Sequence, residues 1–232
     1  MKKKRRKKDD YFEFESDSDD TFYYIADYTD GGAPFGVTWE EIISQELYFR
    51  PATKKDGKAV AELIHMAIGD IAEQLTGQTK SKNIRETISN FFRVENNRLS
   101  YQNILVADVV DEVAGIILTY PGEAAAELDE PILKRLRKKN RNPAIFFDKE
   151  ADEGDFYIDT ISVHPKFQGY GIGTNLLKEV EKLAVQKGIH RISLNVAKDN
   201  PSARKLYKNL GYQDKKEIKI NGHPYDYMVK ML

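Results

Sequence analysis

A glycine-rich run, His164-Pro165-Lys166-Phe167-Gln168-Gly169-Tyr170-Gly171-Ile172-Gly173-Thr174, lies between a strand-like and a helix-like segment. It constrains the fold more than any other stretch of the chain. Residues 155–163 before it are mostly aromatic and β-branched, as strands are. After it, Leu176, Leu177, Val180, Leu183 and Ala184 fall on one helical face, and Gly188 ends the segment. A helix N-terminus leaves its first backbone N–H groups unpaired and carries the positive end of the helix dipole. Glycines ahead of it let the backbone come close to an anion, so the unit reads as a pyrophosphate cradle.

Three kinds of cradle can be told apart by spacing. A P-loop needs a Gly-Lys-Ser/Thr ending, and no such lysine follows here. A dinucleotide fold wants G-x-G-x-x-G and an acidic residue about 20 positions on. Here the glycines are Gly169, Gly171 and Gly173, and the next strand ends in Asn195-Val196. A nicotinamide enzyme therefore fails on spacing. The third pattern, Gln/Arg-x-x-Gly-x-Gly/Ala, is met by Gln168, Gly171 and Gly173.

That segment resembles the coenzyme A loop of the GCN5-related N-acetyltransferase (GNAT) family. Ile158 to Pro165 is similar to the family's central strand and its closing proline. Asn200-Pro201-Ser202-Ala203-Arg204-Lys205-Leu206-Tyr207-Lys208-Asn209-Leu210-Gly211-Tyr212 is similar to its second signature. The resemblance spans about residues 47–232. It implies an α/β (α+β) fold, with a mixed central sheet of about seven strands and helices on both faces. It also implies acetyl-CoA as co-substrate. Backbone groups of Ile161 and Val163 would meet the pantetheine arm. N–H groups of Gln168, Gly169, Tyr170, Gly171, Ile172, Gly173 and Thr174 would hold the pyrophosphate, and Asn200 would contact the cofactor. Tyr207 would reach the thioester sulfur and act as general acid, and the Val163 N–H would face the developing oxyanion.

Asp159 interrupts a strand of apolar and hydroxyl residues. A carboxylate there is costly unless it has a partner or a task, which makes it the candidate base for an attacking amine. His164, at the strand's end, is a weaker candidate. His65, His190 and His223 are scattered, and without cysteines they form no metal-ligand spacing, so no metal is expected. Residues 121–153 form an insertion with a short helix and a basic cluster from Lys134 to Arg141. The acids from Asp148 to Asp155 would favour a cationic acceptor. The acceptor, expected to be a primary amine, stays open among polyamines, amino sugars, amino acids, lysine side chains and peptide N-termini.

The remaining chain divides by charge. Lys2 to Lys8 are all basic, and Asp9 to Asp20 carry seven acids. Like-charge blocks cannot be buried, so residues 1–20 read as a solvated tail, with at most a weak tether to nucleic acid. Residues 21–46 form an aromatic arm. Phe22 to Tyr28 is strand-like, Gly31 to Pro34 is a turn, and Thr38 and Glu41 make a capping box. The arm would pack on the domain at 47–232 or in a homodimer. The absence of cysteine fits a reducing cytoplasm. No apolar run reaches the ~18–20 residues that a membrane span needs. A second reading keeps the fold without catalysis: a coenzyme-A-binding or RNA-tethered interaction module.

Overall fold

The computed structural model describes residues 19–232; the basic run at 2–8 and the acids before Asp19 lie outside the described residues. The described residues divide into two compact units, residues 19–45 and 46–232.

In the first unit, strands β1 (Phe22–Tyr28) and β2 (Pro34–Thr38) pair antiparallel and lead into helix α1 (Trp39–Glu46). The expected capping box is present. The Thr38 N–H donates to Glu41 Oε2 (2.9 Å), and the Glu41 N–H donates to Thr38 Oγ1 (3.2 Å). Tyr23 packs edge-on against Trp39 at 5.0 Å, and Trp39 Nε1–H donates to the Asp19 carbonyl.

The second unit opens with β3 (Leu47–Pro51), then α2 (Gly57–Ile68), α3 (Ile71–Thr76) and α4 (Ser81–Phe92). The apolar periodicity through Ile71 suggests one helix; two are found. Gly69 and Asp70 separate α2 from α3, and Gly69 at φ 53° and ψ −123° leaves helical geometry. Next come β4 (Ile104–Val109), β5 (Glu112–Pro121), α5 (Ala125–Asn140), β6 (Phe156–Val163), α6 (Ile172–Gln186), β7 (Arg191–Ala197), α7 (Pro201–Asn209), β8 (Gln213–Ile220) and β9 (His223–Met231). The stretch expected to hold a short helix contains the 16 residues of α5, which continue through Pro131. Ile132 and Leu136 join the core, and that burial offsets the donor Pro131 lacks.

The seven strands run β3-β4-β5-β6-β7-β9-β8, with β6 and β7 parallel and every other pair antiparallel. Alternation along the central strands builds two cores. Val106, Ile116, Leu118 and Tyr120 belong to one cluster with Val60, Ile64, Ile88 and Phe92 of α2 and α4. On the other face α6 buries Leu176, Leu177 and Val180 completely. Each such side chain contributes roughly 1.5–3 kcal/mol. Gly115 of β5 lets α6 come close: a Cβ there would lie 3.3 Å from Leu176 Cδ1 and 3.1 Å from the Ser162 carbonyl.

The feature that positions the site is the junction of β6 and β7. Their register covers only Phe156↔Ile192, Tyr157↔Ser193 and Ile158↔Leu194. From Asp159 onward β6 stays on β5, ending at Val163↔Gly115, while β7 follows β9 to Ala197↔Tyr225. The sheet opens into a wedge there.

Candidate active site

The cradle lies where β6 meets α6. Residues 165–167 make one tight turn, in which His164 Nδ1 accepts from the Lys166 N–H (3.3 Å). His164 is therefore a turn cap. Gln168 spends its own N–H on the Pro165 carbonyl (3.3 Å), and its side-chain Nε2 donates to the Val163 carbonyl (3.0 Å). Gln168 thus pins the loop to the strand, while its backbone amide is used within the turn. Gly169 and Gly171 take φ +87° and +76°, the left-handed region that favours glycine. The backbone N–H groups of residues 169–174 donate to nothing among the described residues. Six successive unpaired amides at the head of a 15-residue helix suit a pyrophosphate.

The wedge leads away from this cradle. The His164 N–H donates to Ala114 on β5 (2.9 Å). Counting back by two, the amides of Ile161 and Val163 face the other edge of β6, where no strand pairs with them. An extended amide-bearing chain laid in the wedge would find that edge ready to pair. The wedge continues into a cavity of about 270 Å³, lined by Ile161, Asp159, Asn195, Asn200 and Tyr207 among others.

Asn200 and Tyr207 reach the cavity from α7. Asn200 Oδ1 accepts the Ala203 N–H (3.1 Å) and so caps that helix. Tyr207 lies two turns further on the same face. It is 8% exposed, with its ring edge-on to Tyr212 at 5.9 Å. Its hydroxyl has no hydrogen-bond partner among the described residues. Burial pushes that hydroxyl up to about 12. It stays protonated throughout the neutral range, always able to donate but a weaker acid than free phenol.

Asp159 also lines the cavity, though not as a free carboxylate. Tyr120 OH donates to its Oδ2 (2.6 Å), Thr160 Oγ1 to its Oδ1 (2.7 Å), and Arg98 Nε to Oδ2 (3.1 Å), with Arg98 Nη2 closer still. Burial alone would raise this carboxyl. The Arg98 charge and these donors outweigh burial and hold it below the ordinary carboxylate range. That geometry fits an anchor for Arg98 better than a proton acceptor.

Arg98 had no signal in the sequence: it sits in the loop after α4, 61 residues from Asp159. It is 6% exposed and also contacts Glu150 Oε2 (3.1 Å) and Asp129 Oδ1 (3.2 Å). Three carboxylates thus share one buried cation. Burial raises the Asp129 carboxyl to about 6 against the pull of Arg98. Tyr157 OH donates to Glu150 Oε2 (3.0 Å), and Asn195 Nδ2 donates to both Tyr157 OH and the Glu150 carbonyl (2.9 Å each).

Comparison with known proteins agrees with this geometry. Residues 78–212 match the model of the Acetyltransferase (GNAT) family. A thialysine N-epsilon-acetyltransferase from Bos taurus is 40% identical over 60 residues, which is 26% of this chain and 35% of that protein. The matched stretch is thus about a third of the length of the curated relatives. A crystal structure described as an acetyltransferase is 36% identical and aligns with TM-score 0.67 over 79% of this chain and 98% of its own. The N-acetyltransferase from Staphylococcus aureus Mu50 is 28% identical, with TM-score 0.68 over 78% and 99%. With the family model covering more than half of its residues, the chain belongs to the GNAT acetyltransferase family.

Proposed function

We propose that this protein transfers the acetyl group of acetyl-CoA to a primary amine by direct attack. The observation that carries the reading is the continuous path from the unpaired amides of residues 169–174, along the open edge of β6, to the unpartnered hydroxyl of Tyr207. The amides of residues 169–174 fit the pyrophosphate, and those of Ile161 and Val163 fit the amides of the pantetheine arm. Asn200 holds α7 in place at the cavity wall. Acetyl-CoA supplies the activated acyl group.

Three tasks fall to the protein. It must bring the amine and the thioester together, which alone can supply a large part of the rate. It must meet the charge that develops on the carbonyl oxygen, and an outward backbone N–H at the cavity end of β6 is suited to that. It must assist the leaving sulfur, and Tyr207 donates its hydroxyl hydrogen there. With its hydroxyl raised by burial, Tyr207 acts first as a hydrogen-bond donor that stabilises the thiolate and then as the route by which the proton arrives. Asp159 keeps Arg98 in place and contributes its charge to an acceptor region in which Asp148, Glu150 and Asp159 outnumber the single cation.

The test is thiol release from acetyl-CoA against a panel of amines, on wild type and Tyr207→Phe. The variant is expected to lower kcat by ~10²-fold or more while acetyl-CoA affinity stays unchanged. Wild-type kcat/KM should show no fall through pH 10, because Tyr207 stays protonated there. An unchanged kcat in Tyr207→Phe removes that residue from the mechanism. No thiol release with any amine, in a protein that binds acetyl-CoA, removes the reaction.

A further inference from the structure

Asp159 is spoken for, which leaves the proton of the acceptor's ammonium without a destination. Among the charged residues lining the cavity, Arg98 and Asp159 satisfy one another. Asp148 is exposed, and its Oδ2 accepts the Asn221 N–H (2.8 Å). Glu150 differs from both. Its side chain is 16% exposed, so it is neither locked in the core nor free in solvent. Oε2 is fixed from two directions, by Arg98 Nη2 (3.1 Å) and Tyr157 OH (3.0 Å). Oε1 has no partner among the described residues. Asn195 holds both the Glu150 carbonyl and the Tyr157 hydroxyl, so the carboxylate is fixed at backbone and side chain alike. Asn195 Oδ1 is itself buried without a partner among the described residues at the same cavity. Tyr207, nine-tenths buried and with its hydroxyl unpartnered among the described residues, lines that cavity from α7.

We propose that Glu150 is the carboxylate that receives the acceptor's ammonium and takes its first proton. This rests on the acetyl-transfer reading. An N–H bond of the ammonium breaks, its electron pair stays on nitrogen, and the proton passes to Oε1 and then to solvent. The freed lone pair forms the N–C bond to the acetyl carbon, and the C–S bond breaks with its pair on sulfur. The second proton, shed to solvent as the amide forms, replaces the one that Tyr207 gives to sulfur, so that Tyr207 is restored from solvent. The charged and titratable groups around Glu150 are Arg98 from the loop after α4, Tyr120 of β5, Asp129 of α5, Tyr157 and Asp159 of β6, and Tyr225 of β9. Arg98 offsets part of their combined negative charge, and of the two sheltered carboxylates that line the cavity, Glu150 and Asp159, Glu150 has an oxygen without a partner among the described residues.

The test compares wild type with Glu150→Gln and Glu150→Asp. Each is assayed from pH 6 to 10 with the best alkylamine of the panel, and at pH 7 with trifluoroethylamine, an amine already neutral there. Glu150→Gln is expected to lower kcat with the alkylamine by roughly 10²-fold at pH 7. The loss should be recovered about tenfold per pH unit, and trifluoroethylamine should be spared. Glu150→Asp should retain part of the activity. Acetyl-CoA affinity, measured alongside, should not move. The inference is overturned by a kcat within threefold of wild type at pH 7. It is equally overturned by an equal loss at every pH and with both amines, which marks a structural role. No thiol release by wild type with any amine fails the transfer reading and this inference with it. Thiol release with the alkylamine at pH 7 that is undiminished in Glu150→Gln fails this inference alone.

Discussion

Arg98→Met should be the most damaging single change outside the hydrophobic core. Arg98 is 6% exposed and touches Asp159, Glu150 and Asp129, the last two at 3.1 and 3.2 Å. Methionine fills much of the same volume but leaves three carboxylates around a buried point with no cation. Breaking a buried ion pair by removing one partner costs about 3–5 kcal/mol. At about 2–4 °C per kcal/mol for a domain of this size, the melting temperature should fall by roughly 6–20 °C. The pH dependence identifies the cause. Asp159 has a folded-state pKa held below its unfolded value of about 3.9, so its contribution is present above that pH and is lost as pH falls through the folded value. Without Arg98, only the Tyr120 and Thr160 hydroxyls oppose burial at Asp159, and protonating that carboxylate relieves the strain. The deficit should therefore be largest near pH 7 and shrink toward pH 4. Scanning calorimetry of both proteins at the two pH values reads this directly. A loss below ~1 kcal/mol at pH 7, or one equal at both pH values, would refute the reasoning.

Asp129→Asn should act in the opposite direction. The Asp129 carboxyl rises from 3.8 to about 6, so the folded state holds its proton more tightly than the unfolded chain does, and wild-type stability from this group declines as pH rises from about 4 to 6. The asparagine variant should be more stable at pH 7 by up to about 3 kcal/mol, with the difference vanishing below pH 4 by chemical denaturation. An equal or lower stability at pH 7 counts against it. Asn200→Ala removes the cap of α7 and should cost ~1 kcal/mol. It should also lower thiol release, because α7 carries Tyr207; an unchanged melting temperature with unchanged activity would contradict this.

Which features could be read from sequence follows from how local they are. The cradle is a matter of consecutive residues: Gly169 and Gly171 take the positive φ that their spacing suggests, and α6 begins at Ile172. The β8–β9 hairpin turns at Asn221-Gly222, both at positive φ, as an Asn-Gly pair favours. Asp159 shows where such reading stops. This strand-interior carboxylate does have a partner, but the partner is Arg98, brought in by folding across 61 residues with no periodic signal. Glu150 was visible only as one acid in an acidic stretch. Its distinction, one anchored oxygen and one open one, depends on Tyr157 and Arg98 from two other segments. Gly69-Asp70 splits one apolar stripe into two helices because the backbone turns there, and side-chain periodicity does not register that break.

The central claim is that residues 169–174 hold the pyrophosphate of acetyl-CoA, and calorimetric titration of wild type and Gly171→Glu with acetyl-CoA tests it most directly. Gly171 has open space before its Cα at φ +76°, so the glutamate would be strained in backbone and would set a negative charge in the cradle. One-to-one binding by wild type, lost in a Gly171→Glu protein that still melts cooperatively, is the predicted result. Absence of binding by wild type, or equal binding by the two proteins, would contradict the account.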